Sequence, residues 1–345
     1  MILNEFYSID LFSGVGGLTH GMIKAGFKVV AAIEIDKDAV KAYRLNHEKV
    51  KVIEKDIRQV KISDIKKLLK GKELDLLAGC PPCQGFSSVR RKNKKKNIKD
   101  SRNSLINEYL RFVKGLKPKT ILLENVPGLM NYFLFKVFIK ELVALGYHDA
   151  ENFSVLNMKD YEIPQRRRRL TLVASRLGKI SIAEGSMKKV TVRDIIGQLP
   201  KPENSIDKLH KILPIHKEKT LKKIRLTPLD GGSRRDLPSA YTLKCHKKKN
   251  VGFNDIYGRL RWDDYSTTIT GGCLNPSKGR FLHPEQNRCI SAREAALLQS
   301  FPKGYKFPTD ISRTSLALMI GNALPPKFSY IQSLNIKNYL KQHLG

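Results

Sequence analysis

The chain reads as an α/β protein carrying a second, smaller and irregular lobe, and three features of the sequence predict this. Short apolar runs alternate with amphipathic stretches through the first 175 residues. A glycine-rich segment joins the first apolar run to the first helical stretch. From about Ser175 the texture changes to Gly, Pro and Lys with short strand-like pieces. The βαβα rhythm of the first part calls for a parallel or mostly parallel sheet with helices on both faces.

The elements follow in order. Phe6–Phe12 is an apolar run of strand length, and Leu18, Gly21, Met22 and Ala25 then fall on one helical face. Lys28–Ile33 is again strand-like, with helical sequence near Ala39–Asn46. Leu74–Ala78 and Thr120–Leu123 are two short buried-strand candidates. Phe135, Phe138, Ile139, Leu142 and Leu145 recur at helical spacing, and Arg168–Ala174 closes the series as a strand. Residues 181–285 carry turn signals such as Asp230-Gly231-Gly232 and no long periodic helix, so they are expected to form a separate, irregular, strand-rich domain. Helical patterning returns at Ser291, where Ser291 and Glu294 make a capping box for Ala292–Gln299. Pro325-Pro326 can open a last helix through Tyr330, Leu334 and Tyr339. The expected division is therefore 1–180 with 286–345 as one domain and 181–285 as the other.

Charge narrows the class of partner. Lys and Arg number 64 against 32 Asp and Glu, and this excess favours a polyanion, because neutralising phosphates releases condensed counterions. Residues 181–290 hold 22 basic and 11 acidic residues, the density of the whole chain, so charge does not locate the surface. Arg90–Lys99 is the most biased stretch, with seven basic residues in ten. No apolar run reaches the ~18 residues of a membrane helix, and the first residues lack a secretory pattern, so a cytoplasmic protein is expected. Five cysteines, an odd number, argue against a disulfide framework.

The chemistry-bearing residues sit where strands end. Asp10 to Leu18 runs from a strand end into a helix start, and its glycines let a ligand approach the backbone closely. It lacks the full G-x-G-x-x-G spacing. Glu34, at the next strand end, stands where an acid can bind ribose hydroxyls, and Asp56, at a third, can accept from an adenine amino group. Together they point to a nucleoside cofactor. Gly79-Cys80-Pro81-Pro82-Cys83-Gln84 follows the Leu74–Ala78 strand. A C-x-x-C pair there also suits a redox pair or half a zinc site. No second C-x-x-C exists, and the pair leads into a long basic loop and not a helix, so no metal is expected.

Pro82-Cys83-Gln84, then Glu124-Asn125-Val126, then Gln165 through Arg169, and finally Gly321 through Pro325 form an ordered set that resembles the DNA cytosine C5-methyltransferases, bacterial restriction-modification type. The opening glycine segment and Arg293-Glu294 match as well. The resemblance spans Asp10 to Pro326 and is absent through much of 176–260, where this family keeps its target-recognition region. It implies a Rossmann-like, S-adenosylmethionine-dependent methyltransferase domain and a monomer acting on a flipped cytosine in double-stranded DNA, in company with a restriction endonuclease. It implies Cys83 as nucleophile, Glu124 holding the base at N3 and its amine, Arg167 pairing with Glu124 or polarising the base carbonyl, and Arg169 supporting that geometry.

S-adenosyl-L-methionine is the implied cofactor, with Phe12 stacking on its adenine and Gly14, Gly16 and Gly17 cradling its methionine part. Glu34 is implied at the ribose, Asp56 and Ile57 at the adenine, Ile35 among the cofactor-binding residues, and Pro82 and Asn322 completing the pocket. Gln84, Ser87, Thr268 and Ile269 are implied contacts to DNA. Arg259, Arg261, Lys278 and Arg280 are candidates for guanines or phosphates. Two departures stand out: Cys80 is a second thiol near the nucleophile, and Leu324 varies the last motif. A tRNA methyltransferase of the same fold is the nearest rival, weakened by the sizeable recognition region and the lack of a Cys-Phe-Thr element. A catalytically silent DNA-binding regulator would have no chemical need for Cys83, Glu124, Arg167 and Asn322 together.

Overall fold

The computed structural model describes residues 5–82, 104–241 and 255–344. They divide into two compact units, one of residues 1–157, 168–185 and 324–345, the other of 158–167 and 186–323.

The first unit is built on a seven-stranded sheet. In chain order its elements are β1 (Phe6–Leu11), α1 (Gly17–Ala25), β2 (Phe27–Glu34), α2 (Lys37–Arg44), β3 (Lys51–Glu54), α3 (Ile62–Leu69), β4 (Leu76–Gly79), α4 (Leu105–Leu116), β5 (Thr120–Asn125), α5 (Phe133–Ala144), β6 (Ser154–Asn157) and β7 (Arg168–Ser175). The strand order is β3-β2-β1-β4-β5-β7-β6. β1 to β5 pair in parallel, and β7 runs antiparallel to both β5 and β6. The central strands are buried along their length except at Tyr7, which is why they read as near-continuous apolar runs in sequence. One face of β1 sends Ile9 and Leu11 into the main core with Tyr109, Phe112, Phe135 and Phe138.

The chain reverses direction across the sheet at β1. β2 and β3 lie on one side and β4 and β5 on the other, so the carboxyl ends of β1 and β4 diverge in crossover and form the switch point at which α/β sheets take ligands. Gly79 is required there: a Cβ would stand 2.7 Å from the Leu11 carbonyl oxygen and 3.1 Å from the Tyr109 ring.

The second unit contains α6 (Val192–Ile196), α7 (Glu218–Leu226), α8 (Ala292–Leu298) and α9 (Arg313–Asn322). It is irregular as expected, but the expected wealth of strands is not seen among its described residues, where pairing is limited to isolated bridges such as Arg259–Leu282 and Leu282–Cys289. Buried arginines replace the ladder. The fully buried Arg259 donates to the carbonyls of Ile224, Thr227, His283 and Gln286 and to Asn287 Oδ1, at 2.6–3.0 Å.

The expected boundary at 286 is also corrected. Residues 286–323 pack within the second unit, because every residue of α8 is buried there and its flanks are tied down. His210 Nδ1 bonds Ser291 Oγ at 2.7 Å, and Arg293 pairs with Asp207 at 2.5 Å. Only at Leu324 does the chain rejoin the first unit, as α10 (Pro326–Leu344), which packs on α1.

Candidate active site

At the end of β1 the backbone turns sharply. Phe12 adopts φ +60°, a left-handed conformation that costs a bulky residue ~1–3 kcal/mol and is retained where surrounding contacts impose it. Here Ser13 N–H donates to the Ile33 carbonyl at 3.1 Å, Gly16 N–H to the Ser13 carbonyl at 2.9 Å, and Gly14 N–H to Glu34 Oε2 at 2.8 Å. Phe12 is half-buried against the main core. Gly14 (φ +53°) and Gly16 (φ +91°) supply the remaining left-handed turns, and nothing lies within 4 Å of where a Gly14 Cβ would be. The loop is therefore an open cradle of backbone leading into α1.

Glu34 organises that cradle. Besides Gly14 N–H it accepts from the Ile35 and Asp36 N–H groups, each at 2.8 Å on Oε1. Burial pushes its carboxyl above the ordinary range in spite of those bonds. Ile35, beside it, is an exposed apolar side chain, 61% accessible. Asp56 caps the short 3-10 turn Ile57–Gln59 and binds Arg58 at 2.5 Å, which holds its carboxyl below the usual range. The Ile57 side chain is taken up by the core, and its carbonyl accepts from Arg111 Nη2 at 2.7 Å and Val60 N–H at 3.1 Å. These donors, acceptors and the open cradle fit the nucleoside and amino-acid parts of S-adenosyl-L-methionine.

The reacting end is built on β4 and β5. Cys80 N–H donates to the Leu11 carbonyl at 3.3 Å, which ties the Cys80-Pro81-Pro82 turn to β1. Asn125 Nδ2 donates to the Pro81 carbonyl at 2.7 Å, while its Oδ1 accepts from Val126 N–H. Asn125 thus fixes the segment two residues before Cys83, a role sequence reasoning missed although the Glu-Asn pair marks the place. Cys83, Gln84, Ser87 and the Arg90–Lys99 run lie outside the described residues.

Glu124 is buried at the end of β5 and forms an ion pair with Arg169, Nε to Oε1 at 2.9 Å. The N–H is not aligned for a hydrogen bond, so Glu124 Oε1 accepts none among the described residues. Sheet register explains the partner: Glu124 faces Thr171 on β7, and Arg169 follows on the same face two residues away.

Arg167 was expected either to pair with Glu124 or to polarise the base carbonyl; the ion-pair partner the structure gives Glu124 is Arg169. Arg167 belongs to the second unit, is almost fully buried, and donates to the carbonyls of Ile269, Gly321 and Ala323 at 2.9–3.1 Å. Thr268, Ile269 and the exposed Asn322 lie in that unit too. Arg259, a candidate for DNA, is instead wholly buried, and Arg280 is engaged with the carbonyls of Gly231, Gly232 and Arg259. Arg261 and Lys278 remain exposed.

Comparison with known proteins shows the family. The family model for C-5 cytosine-specific DNA methylases matches residues 6–337. The type II methylase M.HgiDII of Herpetosiphon aurantiacus is 36% identical over 96% of this chain and 95% of its own length. The type II methyltransferase M.Eco47II of Escherichia coli is 33% identical over 98% of this chain and 81% of its own length. Among solved structures, a prophage-encoded E. coli protein assigned as a DNA modification methyltransferase superposes with a TM-score of 0.74, covering 98% of this chain and all of that one at 24% identity, which speaks for the fold.

Proposed function

Since the chain belongs to the C-5 cytosine-specific DNA methylase family, an enzyme family that takes its methyl group from S-adenosyl-L-methionine, we propose that it methylates a flipped cytosine in a specific duplex sequence through a covalent Cys83–C6 adduct. The observation that carries this reading is the pairing of the buried Glu124 with Arg169, one residue from Asn125, which grips the turn leading to Cys83.

C5 of cytosine is a poor nucleophile. Addition of the Cys83 thiolate to C6 converts C5 into a carbanion equivalent. Glu124 assists by holding a proton at N3 and accepting from the exocyclic amine, which makes C6 more electrophilic. The ion pair with Arg169 fixes the position of that carboxyl at the end of β5. S-adenosyl-L-methionine supplies an electrophilic methyl group to C5. Methyl transfer leaves S-adenosylhomocysteine, and loss of the C5 proton to a water, with expulsion of the Cys83 thiolate, then restores the ring. A stacked base cannot be attacked at C6, so the target must leave the duplex, at a cost of a few kcal/mol. Asn322 completes the cofactor pocket in this reading, Gln84, Ser87 and Thr268 hold the DNA, and Ile269, wholly buried, supports Thr268 from behind and makes no DNA contact of its own. The catalytic unit works as a monomer, alongside a restriction endonuclease, in the cytoplasm.

The test is transfer of tritium from labelled S-adenosyl-L-methionine to unmethylated duplex DNA, with tRNA in parallel. Label should enter DNA, vanish with Cys83→Ser, and fall roughly 10²–10⁴-fold with Glu124→Gln. Label in tRNA alone would overturn the DNA reading, and undiminished transfer by Cys83→Ser would overturn the nucleophile.

A further inference from the structure

Three polar side chains with almost no solvent exposure meet in the second unit: Gln165, Arg167 and Gln299. Gln165 Nε2 donates to Gln299 Oε1 at 2.8 Å and to the Leu298 carbonyl at 3.2 Å, while its Oε1 accepts from Ile269 N–H at 2.9 Å. Arg167 Nη1 donates to the Ile269 carbonyl at 3.0 Å, so both backbone groups of Ile269 are held by one motif. The neighbouring Thr268 hydroxyl donates to the Arg166 carbonyl at 2.7 Å.

The same side chains bracket Asn322. Arg167 donates to the Gly321 carbonyl at 2.9 Å and to the Ala323 carbonyl at 3.1 Å. Gln299 Nε2 donates to the Ile320 carbonyl at 2.7 Å. The two held segments also touch: a Cβ on Gly321 would collide with the backbone of Thr270 and Gly271. Thr268-Ile269 and Asn322 are thus parts of one buried knot, and a displacement of either must move the other or break hydrogen bonds that have no water to replace them. Breaking them is expensive, since a buried donor left without a partner costs ~1–3 kcal/mol.

We propose that this knot, with Arg167 at its centre, is a coupling device that links cofactor binding at Asn322 to DNA binding at Thr268, whose neighbour Ile269 is wholly buried in the knot, and that Arg167 is a positioning residue and touches neither ligand. The inference rests on the proposed function, which assigns those two ligands. Linkage makes the effect reciprocal: whatever factor the cofactor contributes to DNA affinity, DNA contributes to cofactor affinity.

The experiment measures Kd for a fluorescent duplex containing the site that the wild-type protein methylates, with and without saturating S-adenosylhomocysteine, which cannot react. The reciprocal titration of S-adenosylhomocysteine, with and without DNA, completes the cycle. Wild type should show tightening of ~5-fold or more in both directions, the low end of ordinary coupling. Arg167→Lys, which cannot span three carbonyls, should bring the factor below about 2-fold, more than it weakens either ligand alone. Gln299→Met removes one arm and keeps Arg167, and serves if the lysine variant does not fold; it should lower the factor in the same direction. Arg166→Ala leaves the backbone carbonyl in place and should keep the wild-type factor. Full coupling in a folded Arg167→Lys or Gln299→Met variant would overturn the inference alone. Wild-type protein that binds neither ligand would overturn the proposed function and this inference with it.

Discussion

Single residues decide which charges in this protein can act. Asp10 lies on β1 below the glycine cradle, fully buried. It accepts from Thr19 Oγ1 at 2.6 Å, with Tyr43 hydroxyl next in line at 2.8 Å, and its other oxygen has no partner among the described residues. Burial pushes its carboxyl up to about 7. An unfolded Asp releases its proton near pH ~3.9, so between that value and about 7 the folded state binds more protons than the unfolded chain. Stability therefore falls as pH rises through this window, by on the order of 4 kcal/mol for this group. Asp10→Asn removes the term. Denaturant unfolding should show the variant gaining on wild type from pH 4 to pH 8, and parallel pH curves for the two proteins would refute the buried-acid account. The residue scale is also where the sequence was least legible. Glu34 could be found because a strand-end acid needs no knowledge of packing. In a run of four arginines, strand parity decides the partner of Glu124, and the residue that marks the start of β7 cannot be read from arginines alone.

At the scale of elements, legibility followed burial pattern. β1, β4 and β5 are buried on both faces and stood out as apolar runs, whereas the half-exposed four-residue strands β3 and β6 left no clear pattern. The capping box at Ser291 located α8 because its signal is local, with Ser291 Oγ accepting from Glu294 N–H. Tertiary contacts left weaker traces. Helices α1 and α10 approach so closely that a Cβ on Gly21 would overlap the Ser329 side chain, and Ser329 Oγ donates to the Leu18 carbonyl at 2.7 Å. Gly21 had been placed on the helix face by its spacing, but nothing local says that a serine about three hundred residues later needs its missing side chain. Gly21→Leu forces the two helices apart, at a cost of ~1–3 kcal/mol and a fall in Tm of roughly 3–10 °C. Gly304→Ala, which meets nothing within 4 Å, should leave Tm unchanged. Equal melting of both variants and wild type would show that the contact carries no stability.

For the whole molecule the dominant fact is charge. With 64 basic and 32 acidic residues spread through both halves of the sequence, DNA affinity should be steeply salt-dependent, log K falling linearly with log salt by ~0.9 per phosphate contacted. Six to ten contacts correspond to a loss of ~10³–10⁵ in affinity between 50 and 200 mM salt. A salt-insensitive affinity, measured by anisotropy of a labelled duplex, would rule out this electrostatic mode. The slope also separates roles that composition leaves merged. Many cations are already committed: Arg259 and Arg280 to backbone carbonyls, Arg193 to Asp263, Arg166 to Asp264. Arg261 and Lys278 are exposed candidates in the second unit. If Lys278 meets a phosphate, Lys278→Ala lowers the slope by about one and weakens all sequences alike. If Arg261 reads a guanine, Arg261→Ala leaves discrimination at one base pair poorer by ~1–3 kcal/mol. Paired titrations on the methylated-site duplex and a scrambled one distinguish the two, because a phosphate contact moves both curves together and a base contact moves only the first.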